Sequence, residues 1–325
     1  MPDNPLDRFR SLYEALEKDR RWWRDSRRLR YAAMAAVSTE GDPLSVANGI
    51  RNMEKGLKEA SPRFMDVGSH IRFIVGAILY QNGDSAKGFM NEFVRVRKMF
   101  REERLHRALA MELMAVLVLR IQVKGGTISR QLVRRFREIY DEMKLHHRWL
   151  TGADDFPACA LLTGQEGTPQ LIGDRTEQIY TELLLRRFNK GNPLQTAANI
   201  LFLANGTPQA VADRAAALRA VFREQKVRPN ETHYDELAIL SFLKAPAEKV
   251  VASVLTSREG LKSIRPRFDG VTTFNVAVGL AFLELSSHGL DVVGISNVKS
   301  LLDIQAVLAA QQAAMAGAAA AAAAT

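Results

Sequence analysis

Apolar residues recur along most of the chain at the three- and four-residue spacing of amphipathic helices. Near the N-terminus, this spacing is followed by Leu6, Phe9, Leu12, Tyr13 and Leu16, which predicts a first helix. The sequence lacks alternating apolar and polar positions flanked by hairpin turns, so it predicts essentially no β-sheet. The hydrophobic pattern therefore predicts an all-α protein.

Beyond residue 30, the apolar segments form a series of pairs. In each pair, a short apolar segment is followed by a polar break and then by a longer amphipathic segment. A period near forty residues with two helices per unit is typical of α-solenoids of the HEAT or TPR kind. We expect an α-α superhelix of about seven helix pairs, with an irregular helical bundle as the alternative. Comparable positions of the first segments lie 37 to 45 residues apart, at Ala36, Ala77, Ala115, Ala160, Leu203, Leu240 and Ala281.

The breaks contain residues that commonly begin helices. Ser85, Thr127 and Thr207 precede amphipathic segments, which predicts that their side chains cap the following helices. Pro169 and Pro208 fall where a proline in the first turn of a helix is tolerated. These local signals agree with the helix pairs that the hydrophobic period predicts.

The same pattern divides the chain into three parts. Residues 1–30 form an amphipathic segment rich in Arg and Trp, and residues 31–305 form the helical-repeat domain. Residues 306–325 are rich in alanine. Because alanine favours helix more than any other residue, we expect this tail to extend the last helix.

Three stretches between residues 154 and 243 carry a resemblance to a known family. They read DDFPACALLTG, RRFNKGNPLQTAANILFLANG and KVRPNETHYDELAILSFL. Through them the chain resembles a family of bacterial proteins known only as a domain of unknown function. The resemblance covers residues 20–300 and is most specific in these three stretches. It implies a bacterial cytoplasmic protein, and it implies no activity, substrate or cofactor.

The positive charge of the protein is concentrated in its N-terminal half. The formal net charge is +9, and residues 1–150 hold 29 Lys and Arg against 19 Asp and Glu. An anionic partner should therefore meet this half first. Nucleic acid, an anionic membrane surface and an acidic protein are the candidate partners, and a solvated surface without a partner is the alternative.

Several arginines of this half predict a common surface. Arg97, Arg101 and Arg104 have the i, i+4, i+7 spacing of one helix face, and the spacing recurs later in the chain. A basic strip binds phosphate backbones through counterion release, or an acidic protein surface. We expect an acidic protein partner, with non-specific nucleic-acid binding as the alternative. The candidate surface comprises Arg20, Arg21, Arg24, Arg27, Arg28, Arg97, Arg101, Arg104, Arg130, Arg134 and Arg137.

Metal, nucleotide and thiol chemistry have little support in the sequence. Its six histidines form no HExxH motif, and its glycines match no phosphate-binding loop, so we expect neither a metal nor a cofactor. Cys159 is the single cysteine, which excludes an intramolecular disulfide and fits a reducing compartment. Its neighbours are apolar, which predicts a buried side chain and no nucleophile.

Carboxylates near two predicted helix starts are the remaining candidates for catalysis. Asp154 and Asp155 precede Pro157, and His233 precedes two further carboxylates. Helix capping explains both groups without catalysis. An enzyme with a site near Asp154, Asp155 and His233 is therefore kept only as a second alternative.

The location of the protein follows from two segments. The N-terminus lacks the apolar core of a signal peptide, and the most apolar window, residues 108–123, is interrupted by Glu112 and Arg120. We therefore expect a cytoplasmic protein without a transmembrane segment. The combined prediction is a non-catalytic binding or scaffolding protein of the bacterial cytoplasm, whose oligomeric state the sequence does not indicate.

Overall fold

α-Helices account for nearly all of the regular structure. A computed structural model of the protein describes residues 4–18, 27–62, 65, 68–105, 108–146 and 151–287. These residues contain no β-strand, so the prediction of an all-α fold is confirmed. The helices are α1 (Pro5–Glu17), α2 (Arg27–Ala35), α3 (Pro43–Ala60), α4 (Ser69–Gln81), α5 (Ala86–Glu102), α6 (Leu109–Gln122), α7 (Arg130–His146), α8 (Phe156–Thr163), α9 (Pro169–Leu185), α10 (Asn192–Leu201), α11 (Pro208–Glu224), α12 (Tyr234–Leu240), α13 (Ala247–Leu261) and α14 (Gly270–Ser287), with 3-10 turns at Ala153–Asp155 and Glu231–His233.

The chain forms two compact units that divide within α7. Among the described residues, the first unit comprises those up to Val133, and the second comprises those from Arg134 to Ser287. The hydrophobic period gives no sign of a boundary near residue 133, because α7 continues through it as one helix. The alanine-rich tail, residues 306–325, lies outside the described residues.

In the first unit the helices alternate between two layers. Helix α1 packs against α2 and α3, and α3 packs against both α4 and α5. Helix α2 packs against α4, so α1, α3 and α5 follow one another in one layer and α2 and α4 in the other. The N-terminal helix is therefore part of the helical stack.

The second unit repeats this arrangement. Helices α8, α10, α12 and α14 follow one another in one layer, and α9, α11 and α13 follow one another in the other. Each predicted first segment of this unit is a helix of the former layer, and the second segments that the structure describes here are α9, α11 and α13 of the latter. The second segment of the seventh pair lies outside the described residues. The predicted stack of helix pairs is confirmed within this unit.

The first helix of each pair lies deepest in the core. Every residue of α8 and of α12 is buried, whereas α11 buries one face only. For α8 this burial follows from the sequence, because a helix that is apolar on all sides must be covered on all sides. Helix α12 is buried although it carries Asp235 and Glu236. Aromatic side chains pack edge to face between the layers, with the ring of Phe156 5.4 Å from Phe136 and 5.3 Å from Tyr140.

Two of the three predicted capping side chains begin their helices as expected. Ser85 and Thr207 accept backbone N–H bonds of 3.1 and 3.2 Å in the first turns of α5 and α11. The prediction for Thr127 is wrong, because Ser129 accepts from the N–H of Leu132 at 3.1 Å instead. Helix α7 therefore starts later than the sequence pattern indicates.

Arginines on the second helices tie each pair to the next. Arg95, Arg135, Arg175 and Arg214 lie 40, 40 and 39 residues apart. Each donates to backbone carbonyls in the break that follows the first helix of the next pair. We call these four residues the arginine links.

One of these links lies between α9 and the end of α10. Arg175 donates to the carbonyls of Ala204 and Gly206, at 3.1 and 2.9 Å. Arg135 reaches three carbonyls at 2.6 to 3.0 Å, and Arg214 reaches two at 2.8 and 2.5 Å. A cation is favoured at such carbonyls, because the C-terminal end of a helix carries partial negative charge and unpaired oxygens.

Candidate functional site

One member of the predicted basic surface lies in the interior. Arg97 is only 9% exposed, and its Nε donates to Glu112 Oε2 at 2.6 Å. Glu112 on α6 is fully buried, so the two charges neutralise each other within the core of the first unit. The prediction that Arg97 shares an exposed face with Arg101 and Arg104 is therefore wrong for Arg97. Its partner comes from another helix, which helical spacing alone does not reveal.

Arg101 and Arg104 do lie on the surface, at the C-terminal end of α5. Both are exposed, and neither forms an ion pair with another described residue. Arg104 has a positive φ of 56°, which places it in the left-handed conformation that ends many helices. These two arginines are the part of the predicted surface that remains open to a partner.

The members of the predicted surface on α7 are mostly engaged by carboxylates. Arg130 pairs with Glu102, and Arg137 donates to Asp141 Oδ2 at 2.6 Å. Arg134 is exposed on the same helix. Much of the basic character of this helix is therefore offset locally.

The N-terminal members of the predicted surface cannot be placed. Arg20, Arg21 and Arg24 lie outside the described residues. Arg27 and Arg28 begin α2, and their side chains also lie outside the description. The exposed members that the structure describes are Arg101, Arg104 and Arg130 in the first unit and Arg134 in the second.

The candidate catalytic groups make local structural contacts. Asp155 is 2% exposed, and its Oδ2 accepts from the N–H of Gly152 at 2.8 Å, within the turn before α8. The sequence predicted that Asp155 caps α8 with its side chain, and this prediction is wrong. Asp154 belongs to the same turn, and its side chain lies outside the description.

His233 packs against an aromatic ring. Its ring lies 4.6 Å from that of Phe274, and its Nδ1 accepts from the N–H of Asn230 at 3.3 Å. Burial lowers the pKa of His233 and so favours the neutral imidazole. The described contacts thus engage His233 and Asp155 separately, each within its own turn.

Cys159 is a core residue, as predicted. It is fully buried, and its Sγ donates to the carbonyl of Phe136 at 3.3 Å. Burial raises the pKa of the thiol well above its usual value, and the nearby charge of Asp155 raises it further. The thiolate that nucleophilic chemistry needs is therefore strongly disfavoured.

The second unit contains a small cavity that the hydrophobic pattern does not reveal. It lies between the end of α7 and helices α9 and α10, and its volume is about 10 Å³, which is room for a single water at most. We call it the Asn199 pocket. Its lining residues are Met143, His146, Gly173, Thr176, Glu177, Tyr180, Gln195, Ala198 and Asn199.

Asn199 is the most unusual group of the pocket. It is fully buried, and neither its Oδ1 nor its Nδ2 has a hydrogen-bond partner. A buried polar group left without a partner costs about 1–3 kcal/mol of stability. Native interiors therefore rarely leave both atoms of one amide unpaired.

Gln195 lies one helical turn before Asn199 on the same face of α10. Its Nε2 donates to Thr151 Oγ1 at 3.1 Å, and that hydroxyl donates to the carbonyl of Met143 at 3.1 Å. This chain of bonds fixes the orientation of the Gln195 amide. Its Oε1 is buried and has no partner.

The wall opposite α10 brings α7 and α9 close together. A side-chain carbon added to Gly173 would lie 3.0 Å from Glu142 Cβ, so only a glycine fits without a shift. His146 Nε2 lies 3.4 Å from Asp174 Oδ1 at the rim. Tyr180 accepts from the N–H of Gly191 at 3.4 Å, and burial raises the pKa of its phenol.

A second buried polar group lies on the next helix of the same layer. Asp235 and Glu236 of α12 are 8% and 2% exposed, and Glu236 Oε2 has no hydrogen-bond partner. Burial raises the pKa of Glu236 well above its usual value, and the adjacent Asp235 raises it further. Glu236 therefore favours its neutral, protonated form.

Two kinds of site are not found in the described part of the chain. No group of three or more His, Cys, Asp or Glu residues there could hold a metal ion. None of the helices between residues 4 and 287 that the structure describes is long and apolar enough to cross a membrane.

A signal for the pocket is present in the sequence. The stretch NPLQTAANILF is apolar except for a few positions, and Gln195 and Asn199 fall on one face of its helix. Polar residues on a helix that is otherwise buried need partners from neighbouring helices. Only the structure shows that those partners are missing.

Comparisons with known proteins place the chain in a family. The uncharacterized protein YeaA of Bacillus subtilis (strain 168) is 26% identical over 259 residues, which cover 78% of this chain and 76% of that protein. No solved structure matches the chain. A family model described as "Protein of unknown function (DUF4003)" matches residues 12–313. The match spans most of the sequence and confirms the resemblance to a domain of unknown function, so the chain belongs to the DUF4003 family.

Proposed function

We propose that this protein is a non-catalytic helical-repeat binding module of the bacterial cytoplasm. It binds an acidic protein segment through Arg101 and Arg104 at the end of α5. The observation that carries the proposal is the exposure of these two arginines without an ion pair to any described residue. Other arginines of the same half, such as Arg97 and Arg130, are neutralised by carboxylates.

The uneven charge of the chain supports an anionic partner. Residues 1–150 carry a net charge of +10, whereas the remainder carries −1. Such an imbalance raises the local concentration and the association rate of an acidic partner. Catalysis near Asp155 and His233 has less support, because local contacts engage both side chains.

Arg101 and Arg104 can be tested against a matched pair of residues. Arg223 and Lys226 occupy the equivalent positions at the end of α11, where Lys226 also has a positive φ of 58°. We therefore compare Arg101→Glu/Arg104→Glu with Arg223→Glu/Lys226→Glu. Both double variants change the charge equally at the same kind of helix end.

Fluorescence anisotropy measures the binding of a labelled oligoglutamate peptide and of a DNA duplex at several salt concentrations. We expect the wild type and the α11 variant to bind the peptide, and the α5 variant to bind about tenfold more weakly. Equal weakening by both variants would show a general charge effect and refute the site. Binding of DNA alone, with a steep salt dependence, would support the nucleic-acid alternative instead.

A further inference from the structure

We propose that the ends of α9, α11 and α13 form a basic edge that binds the phosphate backbone of duplex nucleic acid without reading its bases. The basic edge comprises residues 186–190, 223–228 and 258–267, where each of these helices ends and the chain turns towards the next pair. All three segments belong to the second unit. The proposal is therefore independent of Arg101 and Arg104, which lie in the first unit.

The basic edge separates charge within the second unit. Its three segments contain 10 Lys and Arg against 2 Asp and Glu, whereas the remainder of residues 134–287 contains 10 against 16. The nearly neutral balance of the chain after residue 150 therefore includes a local excess of positive charge. Because a strip of one sign attracts ions of the other sign, this edge draws a polyanion that the rest of the unit repels.

Five cations of the first two segments have no carboxylate partner among the residues that the structure describes. Arg187 and Lys190 follow α9, and Arg223, Lys226 and Arg228 lie at the end of α11. All five are exposed, and none forms an ion pair with a described residue. A phosphate can therefore approach them without displacing a carboxylate.

Two of these cations occupy backbone positions that glycine usually fills. Arg187 and Lys226 have φ angles of 61° and 58°, in the left-handed region where a side chain is disfavoured. Both follow the cap residue of their helix, which is the position where glycine most often ends a helix. The helix dipole explains a cation at such an end, but α11 ends with three of them within six residues. The extra charge favours a ligand outside the helix.

Contacts between the turns hold the segments of the basic edge side by side. Arg219 of α11 donates to the carbonyls of Arg186 and Arg187 at the end of α9, at 2.5 and 3.1 Å. The third segment leads into α14, where the ring of Phe274 lies 4.6 Å from that of His233 in the turn after α11. Because packed helices lie about 8–10 Å apart, the three segments form a row about 20 Å long.

The side chains of the row favour a phosphate backbone over bases or a protein segment. Phe188 is the only aromatic residue of the first two segments. It is buried, with its ring 4.9 Å from that of Tyr234, so it offers neither a stacking surface for a base nor an anchor for a protein partner. A row of cations binds nucleic acid because each neutralised phosphate releases a condensed counterion. A duplex exposes its phosphates and keeps its bases stacked inside, so it is the matching ligand.

Fluorescence anisotropy of the full chain with a labelled DNA duplex tests the basic edge. Arg223→Glu/Lys226→Glu and Lys190→Glu/Arg228→Glu each reverse two of its cations. We expect each variant to bind at least about tenfold more weakly and to lower the salt slope of log K by about 2, because two phosphate contacts are lost. Two duplexes of equal length and different sequence should bind equally well.

Lys244→Glu/Lys249→Glu is the matched control. Both lysines are exposed at the N-terminal end of α13, about 20 Å from the basic edge along a helix that rises 1.5 Å per residue. Charges separated by more than the Debye length of about 10 Å are largely screened, so we expect duplex binding within about twofold of the wild type. Urea denaturation shows that each variant is folded, and the two edge variants test the proposal independently.

Four results would overturn the proposal. The first is the absence of duplex binding by the wild type at low salt. The second is equal weakening by Lys244→Glu/Lys249→Glu, which would show a general charge effect. The third is a tenfold preference for one duplex sequence, which would show that bases are read. The fourth is tighter binding to phosphatidylserine vesicles than to the duplex at the same salt, which would show a membrane surface as the partner.

The oligoglutamate assay keeps this proposal separate from the proposed function. We expect Arg101→Glu/Arg104→Glu to lose peptide binding and keep duplex binding, and Arg223→Glu/Lys226→Glu to show the opposite. Loss of duplex binding in the first variant alone would place nucleic acid on the N-terminal half and refute the basic edge. Loss of duplex binding in the second variant alone would support the basic edge, whatever the peptide assay shows.

Discussion

Buried polar side chains have charged partners on two first helices of the first unit, whereas two first helices of the second unit bury polar atoms without partners. In the first unit, Arg72 of α4 contacts Glu54 at 3.0 Å, and Glu112 of α6 contacts Arg97 at 2.6 Å. In the second unit, Asn199 of α10 and Glu236 of α12 keep buried atoms without hydrogen-bond partners. The charges on α4 and α6 are therefore balanced by a charged side chain of a neighbouring helix, whereas α10 and α12 bury polar atoms that lose their hydrogen bonds on folding.

The largest expected effect comes from breaking the buried ion pair between Arg97 and Glu112 in the first unit. Glu112→Gln leaves the Arg97 guanidinium buried without a counter-charge, and we expect a loss of about 3–5 kcal/mol in the free energy of unfolding. Urea denaturation measures this difference. The double variant Glu112→Leu/Arg97→Met should recover most of the loss, because it removes both charges together. A loss below about 1 kcal/mol in Glu112→Gln would mean that the pair is not isolated from water.

Replacing the arginine links tests whether the two units differ in how their helix pairs are joined, as well as in their buried polar side chains. Arg175→Ala removes two charge-assisted bonds to carbonyls, and we expect it to lower the free energy of unfolding by about 2 kcal/mol. Arg95→Ala, in the first unit, should have an effect of similar size. The exposed Arg223 is the control, because its replacement by alanine should change stability by no more than about 0.5 kcal/mol. A large difference between the two link variants would show that the units also differ in how their helix pairs are joined.

The smallest expected effect concerns the protonation of Glu236. Because its pKa is raised in the folded protein, Glu236 stabilises the fold fully below its usual value of 4.5 and loses this contribution as the pH rises through the folded pKa. The free energy of unfolding of the wild type should therefore fall relative to Glu236→Gln, by at most about 1.4 kcal/mol per pH unit. Urea denaturation of both proteins above and below pH 4.5 measures this slope. Parallel curves would show that Glu236 is ionised in the folded state.

The sequence predicts the helices well because they depend on local patterns. Helix α5, for example, was expected from the amphipathic segment that follows Ser85, and it runs from Ala86 to Glu102. Its Ser85 cap and its apolar face are both readable within a few residues. What the pattern cannot supply is the identity of the neighbour across each buried face.

Arg97 illustrates that limit. Helical spacing correctly places it near Arg101 along α5, but its burial depends on a carboxylate 15 residues away on α6. The surface predicted from charge alone therefore included a core residue. In the sequence pattern, Glu112 is only an interruption of the apolar window of residues 108–123.

Gln195 and Asn199 show that a local pattern also does not reveal when a buried side chain lacks a partner. Gln195 and Asn199 are visible as polar positions in a buried helix, and ordinary core hydrogen bonds would have explained them. Their importance depends on what α7 and α9 fail to provide, which no local pattern contains. The arginine links are visible in the sequence as a forty-residue spacing, but the period of the apolar positions in the first helices does not point to them.

The regular spacing of the arginine links has a consequence for how such a chain can change in length. Removing residues 135–174 would bring Arg175 to the place in the chain that Arg135 now occupies, with its acceptor carbonyls 29 and 31 residues further on, within the 28 to 32 residues that Arg135 spans. Insertions or deletions of whole forty-residue modules therefore keep every donor in register with its acceptors. Changes of a few residues between an arginine and its break do not, so growth and shrinkage of this architecture should proceed by complete helix pairs.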